Sequence, residues 1–203
     1  MGIERIYANL PELETNRLRL RRISMRDAED MYAYASNDEV AQYVTWETHR
    51  SIEDSKRFIQ YILAQYAKHD IAPWGIELKE NGRLIGTVDF VWWRPEHQSA
   101  EIGYVLAREY WGRGIMTEAA SALLKLGFGE MDLIRVQARC FEDNIGSQRV
   151  MEKIGMRYEG TLRKAMKVKD RHWNLKVFSI LKEEYERAFD LSGREVDPFS
   201  ANL

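Results

Sequence analysis

Between Ala100 and Ala120 the chain passes from an extended stretch ending near Leu106, through a short loop, into a helical stretch, and Gly112 and Gly114 stand just before that helix. Few segments constrain a chain more tightly. Glycine lets the backbone turn sharply and approach a ligand closely. The first turn of a helix offers unpaired N–H groups and a partial positive charge. With Arg113 between the glycines adding a full charge, the segment predicts an anion site suited to a pyrophosphate. A P-loop would need Gly-Lys-Ser/Thr where Gly114-Ile115-Met116 stands. A dinucleotide fingerprint would need a third glycine at Thr117 and an N-terminal βαβ setting. A Gly-x-Gly before a helix can also be no more than a turn.

The rest of the chain predicts a mixed order of elements. Arg17–Ile23 alternates as a strand, and Asp27–Ala35 and Ile52–Ala67 look helical. Trp74–Leu78 and Leu84–Trp93 read as strands joined through Asn81-Gly82, a hairpin signal. Ala100–Leu106 is a strand and Ile115–Met131 a helix with Ala120, Leu123, Leu124, Gly127 and Phe128 on one stripe. Val136–Cys140 is a strand and Ile145–Ile154 a helix stopped by Gly155. Tyr158–Leu162 and Leu175–Leu181 read as two last strands around a charged hairpin. This is an α/β chain of mixed order, without the regular alternation of a doubly wound fold.

Composition narrows the function. The 203 residues carry a net charge of −2, so no chain-wide basic field exists to hold nucleic acid or an anionic membrane. An anionic ligand must be held locally. One cysteine, Cys140, excludes an internal disulfide and fits a reducing compartment. It alternates with the apolar Val136 and Ala138, so a buried structural thiol is expected rather than a nucleophile. Residues 1–14 lack the apolar core of a signal peptide, Ile6 stands where a myristoylation signal wants Ser or Thr, and no apolar run reaches the ~18 residues of a membrane span. A cytoplasmic protein is expected, and no membrane or nucleic-acid partner. The four histidines are scattered without ligand spacing, so no metal is expected. No linker divides the sequence, which predicts a single domain over 1–203, its core at about 13–185, with a loose tail from about Ser192.

A second motif lies downstream, Asn144-Ile-Gly-Ser147-Gln-Arg-Val-Met-Glu-Lys-Ile-Gly155-Met156. By itself it reads as a capped helix with a glycine stop. Together with Trp111-Gly112-Arg113-Gly114, Glu118-Ala119 and Glu159-Gly160-x-x-Arg163, it resembles the GCN5-related N-acetyltransferases (GNAT), in their RimJ/RimL branch of ribosomal-protein N-terminal acetyltransferases. The resemblance runs from about Leu13 to Tyr185 and departs from the family in two places. Glu109 holds the Gln/Arg position of the coenzyme A loop, and Met151 replaces the tyrosine that many relatives carry on the second-motif helix.

The resemblance implies a central, mostly antiparallel sheet, splayed between Glu101–Leu106 and Arg135–Cys140 to admit coenzyme A. It implies acetyl-CoA as co-substrate, and as cofactor-binding residues Tyr104, Val105, Leu106, Trp111, Gly112, Arg113, Gly114, Ile115, Met116, Asn144 and Ser147. A backbone N–H near Val105 would stabilise the oxygen that gains charge as the amine adds. An amine attacks only when neutral, and a lysine titrates near ~10.4 against ~7.7–8.0 for an α-amino group, so the site must take a proton. Glu101 is the expected base, directly or through a water, its alternative being a solvated or arginine-paired glutamate. Ser147 is the hydroxyl available to the leaving thiolate, or else a satisfied helix hydroxyl. Tyr43, Trp46, Glu47 and Trp92 are the expected substrate-binding residues, an aromatic and acidic rim suited to a cation, though core packing explains such rings equally well. Lys164, Lys167, Lys169 and Arg171 form a basic cluster that reads as a solvated hairpin or as a contact for an acidic partner or the coenzyme's phosphate. No activated nucleophile is visible, which favours direct transfer. The expected acceptor is a protein N-terminal α-amine. A small amine (polyamine, amino acid or amine-bearing antibiotic) and a non-catalytic CoA-binding regulatory module stay open, as do monomer and homodimer.

Overall fold

The fold was obtained as a computed structural model, which describes residues 3–188. The proposed loose tail lies outside the described residues. Eight strands form one sheet in the order β1-β2-β3-β4-β5-β6-β8-β7. They are β1 (Leu13–Glu14), β2 (Leu18–Arg21), β3 (Trp74–Leu78), β4 (Arg83–Arg94), β5 (Ser99–Leu106), β6 (Arg135–Phe141), β7 (Arg157–Val168) and β8 (Arg171–Leu181). Every neighbouring pair is antiparallel except β5 and β6. The helices are α1 (Ile3–Tyr7), α2 (Ala28–Ala35), α3 (Asp38–Ala41), α4 (Ile52–Ala67), α5 (Ile115–Gly129), α6 (Ile145–Lys153) and α7 (Lys182–Ala188). None of them is long and apolar enough to cross a membrane.

The expected elements are present, with four short additions: α1, β1, α3 and α7. These are too brief to carry a readable period, and tertiary contacts hold them. One expectation was too small. The final strands extend through the charged residues, because β7 and β8 pair from Arg157↔Ser179 to Val168↔Arg171. An edge strand facing water tolerates those charges.

Two helical layers cover the sheet. The stripe of α5 is buried, and Gly127 lets the helix approach Phe90, whose ring lies 3.4 Å from where a Cβ would stand. Val88, Phe90, Ile102 and Ala138 share that face. On the other face Gly75 makes room for Ile23 and Leu84. There Tyr66 of α4 donates to Pro73 O and accepts from Ile23 N, and Asp30 of α2 accepts from Leu84 N.

Candidate active site

Two neighbouring strands part company in the middle of the sheet. β5 and β6 pair from Ser99↔Arg135 to Ile102↔Ala138 and then separate. Beyond that point β5 stays paired with β4 as far as Leu106, and β6 with β8 as far as Phe141. The edges of Gly103–Leu106 and Arg139–Phe141 that face each other are left unpaired, and a wedge opens. Exposed backbone groups of this kind require partners, which makes the wedge a place for an extended polar ligand.

The glycine loop stands at the end of β5. A 3-10 turn at Arg108–Tyr110 brings Trp111 back so that its Nε1 donates to Leu106 O at 2.8 Å. Gly112 and Gly114 then adopt φ of 72° and 73°, the left-handed region that only glycine enters cheaply. A side chain on Gly112 would meet nothing within 4 Å, so open space lies before the loop. Gly114 caps α5 without a side-chain hydrogen bond, which leaves the first-turn amides of Ile115 and Met116 uncapped by the protein. The side chains of Ile115 and Met116 are buried, so only their main chains can meet a ligand.

Arg17, in the bend just before β2, braces the loop from behind. Its Nη1 donates to Arg113 O at 3.0 Å and its Nε to Glu118 at 2.7 Å. Burial opposes the Glu118 charge, but hydrogen bonds from Thr15 and Arg17 outweigh it and lower its pKa. Nothing in the local pattern points to Arg17, which lies about a hundred residues from its partners.

On the α5 face of the wedge the Asn144 side chain accepts from Ser147 N at 3.1 Å and starts α6. Ser147 Oγ lies 2.9 Å from the Tyr104 hydroxyl, which also donates to Ser147 O at 3.2 Å. Tyr104 was expected to act through its main chain, so this hydroxyl was missed. It stands at the wedge where Met151, wholly buried, offers none. Burial pushes the Tyr104 hydroxyl up in pKa, against the Ser147 hydrogen bond. Cys140 is buried nearby with its thiol pushed up to about 11 by desolvation, as an inert structural cysteine should be.

The opposite face carries Glu101, only 4% exposed. A β-bulge between Phe90 and Trp92 pairs Trp92 with Glu101 and so aims the indole at its carboxylate. Glu101 Oε2 accepts from Trp92 Nε1 at 3.1 Å and from Gln137 Nε2 at 2.7 Å, while Arg139 Nε lies 2.9 Å from Oε1 and 2.8 Å from Oε2. Of the two readings open for Glu101 besides catalysis, the arginine pair is the one present. Asp89 shares this face, opposite Gly103 on β5.

Trp92 is thus brought to Glu101, with Arg94 over its ring at 4.9 Å. The other rim residues are spread out. Tyr43 packs 6.4 Å from both Phe141 and Trp173 in a small satellite core. Trp46 lies 5.3 Å from the His49 ring, and Glu47 is exposed. In the basic cluster Arg171 covers Trp173 at 3.8 Å, Lys167 pairs with Asp170, and Lys169 Nζ donates to Ala41 O. The hairpin therefore docks onto α3. Among the described residues no group of His, Cys, Asp or Glu could hold a metal ion.

A sheet wedged open between two parallel strands, with an uncapped glycine loop at the wedge, defines the class of coenzyme A-dependent acyltransferases. Residues 17–157 match the acetyltransferase (GNAT) domain. YoaA of Bacillus subtilis (strain 168), an uncharacterized N-acetyltransferase, is 40% identical over 172 residues, 85% of this chain and 97% of YoaA. The crystal structure of a GNAT-family acetyltransferase from Bacillus anthracis is 33% identical with a TM-score of 0.75, covering 85% of this chain and 99% of that one. The ribosomal-protein-serine acetyltransferase of Escherichia coli (strain K12) is 31% identical over 96 residues, 47% of this chain and 54% of that protein. The chain belongs to the GNAT acetyltransferase family and is an N-acetyltransferase that takes acetyl-CoA as co-substrate.

Proposed function

We propose that this enzyme passes the acetyl group of acetyl-CoA directly to a primary amine, and that the amine is a protein N-terminal α-amine. The wedge carries the proposal: it leads from an uncapped helix N-terminus, past unpaired main chain, to a face bearing carboxylates. The family resemblance and the name of the ribosomal-protein-serine relative support the choice of acceptor. A single domain over 1–203 belongs to the same proposal, since one sheet runs from β1 to β8.

In this reading the main chain of Trp111–Met116, with Arg113, holds the diphosphate, and the loop's open front suits so bulky an anion. The unpaired edges of Tyr104, Val105 and Leu106, with Asn144 and Ser147 across the wedge, hold the amide-bearing arm. A thioester held there presents an acyl carbon open to attack. The N–H near Val105 faces the oxygen that gains charge, an interaction worth ~2.7–4 kcal/mol where such donors have been removed. The hydroxyls of Tyr104 and Ser147 stand ready to donate to the departing sulfur, whose thiol pKa of ~8.5 demands little help. Glu101, with both oxygens engaged, supplies fixed negative charge where the ammonium arrives. Trp92 completes that side, and Tyr43, Trp46 and Glu47 belong to the outer acceptor rim.

Thiol release from acetyl-CoA tests the proposal across peptides with free N-termini, spermidine and an aminoglycoside. Release with the peptides is expected. Release with spermidine or the aminoglycoside alone would replace the acceptor. Calorimetric binding of acetyl-CoA without release under any amine would mark a regulatory module instead.

A further inference from the structure

We infer that Asp89 of β4 is the group that takes the proton from the acceptor ammonium, with Glu101 acting on it through charge. The inference deepens the proposed function and rests on it.

Geometry carries it. Glu101 is the obvious carboxylate, yet three side chains already occupy its oxygens. Asp89 is half-buried, and no hydrogen bond or ion pair to it is found among the described residues. Its strand alternates Val88 and Phe90 toward α5, so Asp89 points to the face of Glu101 and Trp92. It stands directly opposite Gly103, where β5 leaves β6 and the wedge begins. A Cβ at Gly103 would sit 3.1 Å from Asp89 Oδ1 and 2.6 Å from Val91 Cγ2, so the glycine keeps the carboxylate uncovered. The next residues along β5 are Tyr104 and Val105, the main chain assigned to the thioester. A carboxylate able to accept a proton thus stands across from Gly103, two residues before Val105 along β5.

Charge agrees with geometry. Desolvation first, and the Glu101 carboxylate second, raise the pKa of Asp89 to about 7. Arg139 is spent on Glu101. On α1 the Asp89 charge adds to burial in raising the pKa of Tyr7, a buried phenol that stays neutral. The buried tyrosines of α2 and α4, Tyr34 and Tyr66, respond to Asp27 and not to Asp89. A base near 7 can draw a proton from an α-amino group of ~7.7–8.0, whereas a lysine near ~10.4 lies more than three units above it. The acceptor matched to this base is an α-amine.

The proton balance is simple. The ammonium gives one proton to ionised Asp89, and the freed nitrogen lone pair bonds to the acetyl carbon. The carbon–sulfur bond breaks, the second nitrogen proton ends on the departing sulfur, and Asp89 returns its proton to solvent.

The test follows kcat against pH for the wild type, Asp89→Asn and Glu101→Gln, with a serine-initiated peptide as acceptor. In parallel, the Asp89 carboxyl of the wild type is titrated by 13C NMR without ligand. Asp89→Asn is expected to lose about 100-fold or more in kcat at pH 7 and to drop the acid limb near 7, while binding CoA as before. It should recover toward pH 9.5, where the peptide amine is neutral unaided. The NMR midpoint should fall near 7 in the wild type and lower in Glu101→Gln. A peptide offering only a lysine side chain should be acetylated at least tenfold more slowly. A fast Asp89→Asn, a retained acid limb, or an Asp89 midpoint in the ordinary carboxylate range would overturn the inference alone. A wild type that releases thiol with no amine would overturn the transferase proposal and this inference together. Should Asp89→Asn not fold, the wild-type titration decides.

Discussion

Gly112 and Gly114 share a left-handed φ for different neighbours: open space before the first, the Arg17 guanidinium 3.6 Å from the Cβ position of the second. An L side chain in that region costs roughly 1–2 kcal/mol. Gly112→Ala meets no clash, so its stability loss should be only that strain, a fall in Tm of about 2–4 °C per kcal/mol for a chain of this size. If the loop holds the diphosphate as proposed, its affinity for acetyl-CoA should drop further, by tenfold or more in calorimetry, because the new methyl would stand in the open space before the loop. Equal affinity with an unchanged Tm would dismiss the loop as the diphosphate site. The glycines were legible in the sequence because backbone freedom is a local property. The neighbours of Glu101 were not. Gln137 and Arg139 come from a strand 36 and 38 residues away, and only the parallel β5–β6 register brings them alongside.

At the scale of elements, one extra residue in β4 decides which face Trp92 joins. Without the bulge at Val91, alternation from Phe90 would send Trp92 toward α5; with it, Trp92 meets Glu101 and Trp93 enters the core. No residue type at this site announces a bulge, so a plain strand was the natural expectation. The same face predicts a cost for disturbing its charges. Arg139→Ala leaves the Glu101 carboxylate buried with two neutral donors, and removing such a partner costs ~1–3 kcal/mol. Thermal melts should show that loss, and pairing Arg139→Ala with Glu101→Gln should recover much of it. A double variant less stable than the additive sum would mean the ion pair is not what holds Glu101.

At the scale of the whole molecule, the shifts of Glu159 and Asp89 oppose each other with pH. Hydrogen bonds from Arg135 lower Glu159 to about 2, so its stabilisation is present above the unfolded value of ~4.3 and lost as pH falls toward 2. Asp89 runs the other way. Its folded value of about 7 lies above its unfolded ~3.9, so ionising it weakens the fold as pH rises through 7. Melts across pH should show Glu159→Gln less stable than the wild type at pH 6 and equal to it near pH 2. Asp89→Asn should match the wild type near pH 4 and exceed it at pH 8. A destabilised Asp89→Asn at pH 8 would mean that ionised Asp89 has a favourable partner. The proposed active site therefore charges the fold a penalty at the pH where it works, as functional carboxylates commonly do.

By itself the sequence determined the order of strands and helices, the glycine loop, both motifs and the family, because each rests on residues close together in the chain. Only the tertiary structure decided where β5 leaves β6, that Tyr104 lends its hydroxyl to Ser147, that Arg17 braces the loop, and that Glu101 is occupied while Asp89 has no hydrogen-bond or ion-pair partner among the described residues. Those facts depend on register, a bulge and burial. All three are set by packing between distant segments, and no local pattern of residues encodes them.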